Sequence, residues 1–252
     1  MTPEETARAS ARSVVELPGR FMVDGATYRR GAELGFSALD FYFAGRAGVL
    51  GDVPGEVAAA ALVFFEPSTV SLAWERARKV SAPADAAREF AACAHEWARA
   101  HLPEGPDYAR LAELLGAVLA RADAAGAPLF AGWRRLEEPA DSPALALHRL
   151  NALRELRGAL HAVAVLAEGL EPLEALLVHR PEMAGIFGWQ PPYPDVAGRR
   201  DAWRRAEEQT NALLGRRLAM LTGREREELV ELLRAANGET AAAAREDEGA
   251  AR

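Results

Sequence analysis

One stretch of the chain concentrates side chains capable of chemistry: Asn151, Arg154, Glu155, Arg157 and His161, with Gly158 among them. A helix turns about 100° per residue, so Asn151, Arg154, Gly158 and His161 fall on one narrow stripe. Glu155 and His148 lie along one edge of it and Arg157 along the other. Leu145, Ala152, Leu153, Leu156, Leu160 and Val163 make the opposite, core-facing seam. Leu147, Leu150 and Val165 interleave with the polar stripe, a mixture that a freely solvated face rarely shows, so the stripe is expected to be a second, half-buried face. In chemical terms Arg154 and Arg157 are anion or carboxylate clamps and Asn151 is an orienting donor. His161 and Glu155 are the candidate catalytic, proton-carrying groups. Gly158 allows close approach of a neighbouring helix or a ligand. The competing expectation is an internal ion-pair network, with Arg154 or Arg157 neutralised by Glu155 or another acid.

A second cluster runs from residue 36 to 53 and is rich in aromatics and glycine. Gly45, Gly48 and Gly51 lack the preceding strand and the βαβ context of a dinucleotide loop. The better reading is an aromatic helix ending in a relaxed loop, with Arg46 set against the polar stripe and Tyr42 beside it as ligand-binding candidates. Glu66, ahead of Pro67, is expected to cap the next helix. His95 and His101 are six residues apart and His148 and His161 thirteen, so neither pair shares a helix face as zinc ligands must. No metal site is expected, and the sequence specifies no cofactor. Cys93 is expected to be a small buried apolar residue. Arg199, Arg200, Arg204, Arg205, Arg216 and Arg217 interleave with Asp201, Glu207 and Glu208, which suits a solvated, salt-bridged face.

These side chains require helices to position them. Apolar residues recur with helical period throughout, and no stretch alternates long enough for a strand. The pattern predicts helices over 3–16, 24–34, 37–45, 54–65, 67–80, 83–101, 106–124, 142–168, 172–179, 181–187, 195–220 and 222–236. Proline opens several of them, where its missing N–H costs nothing. Asp141 or Ser142 and Asp195 are candidate N-caps. The expected fold class is all-α: a multi-helix bundle with a degenerate, wing-less, winged-helix-like C-terminal part, because residues 188–194 form a proline-rich turn with no ladder donors for a wing. The expected organisation is a helical core domain over 1–187, a helical pair over 188–236 packed on it, and a disordered tail over 237–252. The 252 residues carry a net charge of −7, and their 30 basic residues include a single lysine, Lys79. That removes most covalent lysine chemistry. The acidic balance argues against a dedicated nucleic-acid binder. No apolar run is long enough for a membrane span, and one cysteine suits a reducing, cytoplasmic setting.

Three segments together carry a family resemblance. They are Phe41-Tyr42-Phe43-Ala44-Gly45-Arg46-Ala47-Gly48-Val49-Leu50-Gly51, Leu153-Arg154-Glu155-Leu156-Arg157-Gly158-Ala159-Leu160-His161 and Gly169-Leu170-Glu171-Pro172-Leu173-Glu174-Ala175-Leu176. From about residue 12 to 234 the chain resembles the SalK/EvbL-like family of actinomycete-type proteins. That resemblance implies a helix-turn-helix label and a setting near biosynthetic gene clusters. Many members have His and Asp in the second segment where this chain has Leu156 and Ala159. Many also carry a recognition helix and wing after the Gly-Trp pair, shortened here to residues 190–194. The leading expectation is a small-molecule-binding helical protein, or accessory enzyme of secondary metabolism. Its pocket would be lined by Arg46, Tyr42, Asn151, Arg154, Arg157, Gly158 and His161 and would take a partly anionic or aromatic ligand. Nucleic acid is expected to be an unlikely partner. The alternatives are a DNA-binding regulator of degenerate winged-helix type and a structural homodimer.

Overall fold

The computed structural model describes residues 1–238. They form α1 (Pro3–Met22), α2 (Gly25–Glu33), α3 (Ala38–Ala47), α4 (Gly55–Ala61), α5 (Pro67–Ala77) and α6 (Pro83–His101). These are followed by α7 (Tyr108–Arg121), α8 (Pro128–Trp133), α9 (Ser142–Ala167), α10 (Pro172–His179), α11 (Arg200–Leu218) and α12 (Gly223–Ala236). No strand occurs among the described residues, so the fold is an all-α bundle and no wing forms there. The expected tail lies, from residue 239 on, outside the described residues.

Local chemistry fixes most helix starts. Thr2 and Thr222 build capping boxes with Glu5 and Glu225. Glu66 accepts from the N–H groups of Ser68 at 3.0 Å and Thr69 at 2.6 Å, the cap expected of it. Asp141 caps α9 through Ala144 N at 3.3 Å. Asp195 is not a cap, since its carboxylate holds Ala197 N in a turn and α11 begins only at Arg200. α1 runs six residues past its expected end, through Pro18. The lost hydrogen bond is offset by burial of Leu17, Phe21 and Met22 on the turns either side of it. Residues 181–187 give a short 3-10 turn rather than a helix.

α9 is the axis of the molecule and packs against α1, α6, α7, α8 and α11. The core around it holds Trp74, Trp133, Phe21, Phe41, Phe43, Phe90 and Phe130, all buried, and continues to Leu229 and Leu233 of α12. Val163, assigned to the core seam from spacing, is 51% exposed, because the seam turns away from its neighbours near the end of α9. Gly45 owes its presence to packing: a Cβ there would stand 2.3 Å from Phe90 Cγ, so α3 and α6 meet only because it has none.

Candidate functional site

The polar stripe of α9 faces inward, as expected, and the structure supplies its partners. Arg46 of α3 grips Glu155 with two parallel bonds, Nε to Oε1 at 3.0 Å and Nη2 to Oε2 at 2.8 Å, and donates from Nη1 to the Tyr42 hydroxyl at 2.9 Å. Arg154 Nη1 donates to the same Oε1 at 2.8 Å. Burial works against charge at both ends of this cluster. The attraction outweighs it, holding the Arg46 guanidinium above and the Glu155 carboxyl below their usual ranges. Both groups are therefore charged at neutral pH.

One turn further along, the partner is α11. Arg157 Nη2 donates to Glu207 Oε2 at 2.8 Å, and His161 Nδ1 stands 3.1 Å from Thr210 Oγ1 and 3.3 Å from Glu207 Oε1. Thr210 spends its own proton on Ala206 O, so the imidazole donates from Nδ1 and leaves Nε2 unprotonated. Burial pushes the His161 pKa down to about 4, against the pull of Glu207. Phe64 packs on the ring at 5.4 Å between centroids. Glu155 and His161, the two candidate proton carriers, make no bond to each other; each belongs to a different ion cluster. Asn151 is fully buried, and neither atom of its amide has a partner. Arg154 Nε and Arg157 Nε are likewise buried without an acceptor.

Two turns nearer the start of α9, along the edge that carries Glu155, lies a feature that spacing along one helix could not reveal. His148 Nδ1 lies 3.0 Å from Nε2 of His95 on α6. Burial lowers both pKa values to about 4, so the pair is neutral near pH 7 and one shared proton lies between the rings. His148 lines a cavity of about 220 Å³ together with Arg134, Glu138, Arg149 and Gly116. Arg149 closes its rim through Glu138, at 2.7 Å and 2.6 Å, and through Ala112 O at 2.8 Å. None of the stripe arginines lines this cavity.

Several pairs of consecutive helices are joined by short connections, among them α4 and α5 by residues 62–66 and α11 and α12 by residues 219–222. The first pair packs closely: a Cβ on Gly55 would stand 3.0 Å from Cα and O of Ser71. Its connection is held from outside, by Glu66 N donating to Phe187 O at 2.9 Å, Trp189 Nε1 donating to Phe64 O at 2.9 Å, and Phe65 stacking on Phe187 at 4.2 Å. Paired helices with a short turn are the unit by which many proteins enter a DNA groove.

The chain belongs to a helix-turn-helix family, whose model matches residues 7–246. No curated protein and no solved structure matches it. Family membership corrects one expectation. Nucleic acid was set aside on net charge and on the missing wing, whereas a helix-turn-helix family points toward nucleic acid as partner. Net charge is a whole-molecule sum, while groove binding is decided by the few side chains on one helix.

Proposed function

We propose that the protein is a wing-less, DNA-binding regulator of transcription that docks through α4 and α5. The observation that carries this reading is the helix-turn-helix family match across nearly the whole chain. The resemblance of residues 41–51 and 153–161 to the SalK/EvbL-like group supports it as the finer family placement. Geometry favours α4–α5 over α11–α12. α4 has seven residues and α5 eleven, and α3 packs behind α5. Val70, Ala73, Trp74 and Ala77 bury one face of α5, and Ser68, Leu72, Glu75 and Arg76 stand exposed on the other, in line with Lys79. Leu72, 62% exposed amid polar neighbours, suits contact with a thymine methyl. By contrast α12 borders a hollow lined by Glu225, Glu227, Glu228 and Glu231 against Arg110 and Arg224, a net negative lining that disfavours phosphate. The reading implies a cytoplasmic protein; no helix among the described residues is long and apolar enough to cross a membrane.

Arg76, Arg78 and Lys79 are the cations at hand; Arg76 is held by Asp40, and Arg78 by Asp52 and Glu75, so phosphate must displace these carboxylates, and about three phosphates are neutralised once it does. Affinity for duplex DNA then falls roughly 40-fold between 50 and 200 mM salt. Fluorescence anisotropy with a mixed-sequence duplex pool measures this. Arg76→Ala with Lys79→Ala flattens the salt slope by about two. An absence of binding at 50 mM salt, or an unchanged slope in the double variant, overturns the reading.

A further inference from the structure

Gly158 sits in the middle of the 26-residue helix α9, where glycine is less favourable than alanine by about 0.5–1 kcal/mol. Packing explains other glycines of this chain, but not this one. Nothing lies within 4 Å of the place a Cβ would occupy, and the residue is exposed although its neighbours Arg157 and Leu160 are buried. The notch above it is flanked along the stripe by Arg154 one turn before and His161 one turn after, with Arg157 beside it. Their side chains are 18%, 15% and 9% exposed.

The charges around this notch do not balance. Arg46, Arg154 and Arg157 share two carboxylates, Glu155 and Glu207, which leaves one positive charge over. Arg154 is the weaker claimant on Glu155, because it reaches only the oxygen that Arg46 Nε already uses. Both stripe arginines also keep a buried Nε–H with no acceptor. A buried donor without a partner is costly, and guanidinium edges are matched by planar or tetrahedral oxyanions. His161 Nε2 offers an acceptor beside them, so the complementary ligand carries both charged oxygens and a hydroxyl.

We propose that the notch over Gly158 is an oxyanion site, in which Arg154 and Arg157 bind the charged oxygens of a phosphate group and His161 Nε2 accepts from its P–O–H. The argument is independent of the DNA-docking reading. The phosphate comes from a free phosphorylated small molecule, because a monoester keeps a P–O–H near its second pKa of about 6, whereas the diester of a nucleic-acid backbone has none for His161 Nε2 to accept from; the test separates the two.

The probe is inorganic phosphate, compared with chloride at equal ionic strength and read as thermal midpoint. Phosphate raises the midpoint of the wild-type protein by roughly 3–5 °C at ten times its dissociation constant, and chloride does not. Gly158→Leu fills the notch with a good helix former, so the variant folds and its own midpoint does not fall, yet its response to phosphate is lost. Arg154→Gln weakens phosphate binding at least 10-fold. Equal responses to phosphate and chloride, or a phosphate response that survives in Gly158→Leu, overturn the proposal. If saturating phosphate displaces labelled duplex from the wild type but not from Gly158→Leu, the site takes a backbone diester, which has no P–O–H, and the proposal is overturned. If duplex binding is indifferent to phosphate while the thermal response holds, the site takes a free phosphate, as proposed.

Discussion

Along α9 from Arg154 to Arg157, where Arg46 of α3 and Glu207 of α11 reach it, ionised groups are buried and each carboxylate is gripped by arginine: Glu155 by Arg46 and Arg154, Glu207 by Arg157. Nearer the start of α9, against α6, the buried groups are the histidines His95 and His148, which shed protons rather than gather counter-ions. Both regions belong to one helix and are comparably buried, so burial alone does not choose between the two solutions. The residue type does. A guanidinium cannot be deprotonated in a protein and must find an anion, whereas an imidazole escapes desolvation by becoming neutral. The first region is consequently sensitive to loss of a partner, and the second to acid.

The largest effect separating them comes from Glu155→Ala. It strands Arg46, whose side chain is 11% exposed, and takes its carboxylate partner from Arg154, at a cost of about 3–5 kcal/mol read as a lower urea midpoint. Replacing the pair together, Glu155→Leu with Arg46→Met, recovers most of that loss, because no buried charge remains. If the double variant is as unstable as the single one, packing rather than charge explains the side facing α3.

Acid tests the histidine region, and with it His161 beside Glu207. Depressed histidine pKa values mean that the unfolded chain binds more protons than the folded one between pH 4 and 6.5, so stability rises with pH across that window. It is complete above about 6.5, and is lost as pH falls toward 4, where His95, His148 and His161 are all held. A depression of this size corresponds to about 3 kcal/mol for one histidine. Urea midpoints measured from pH 7 to 4 show the decline, and His148→Gln makes it shallower. An equal slope in that variant means that the acid sensitivity lies elsewhere.

The parts of this architecture governed by local rules were readable from sequence. Proline and helical period gave α6 and α10 their observed bounds, and Glu66 was recognisable as a cap because it immediately precedes Pro67. α8 escaped because six residues, Pro128–Trp133, are too few to display a period. The inward turn of the α9 stripe and its contact with Arg46 were legible from its mixed composition. Two partners were not. Glu207 sits 50 residues from Arg157 and His95 lies 53 from His148, and no spacing rule reaches across separate helices. Charge misled most over the partner, because a sum over 252 residues cannot describe the exposed face of one eleven-residue helix.

The finest test uses the same substitution in each region, at Gly158 of α9 and at Gly116 of α7, beside Arg149 and His148. Gly158 and Gly116 both lie inside helices, so alanine at either position gains about 0.5–1 kcal/mol of helix preference. At 158 the new methyl meets open space and the gain is kept whole. At 116 it would stand 2.4 Å from Arg149 Nη1, the atom that donates to Ala112 O and helps close the rim of the cavity. The guanidinium must move and give up that bond, worth about 1 kcal/mol, so Gly116→Ala ends near zero or slightly below. A difference of about 1 kcal/mol between the two variants in denaturant melts is the expected result. Equal gains at both positions would mean that Arg149 swings aside freely and that the wall facing α7 is softer than its hydrogen bonds imply.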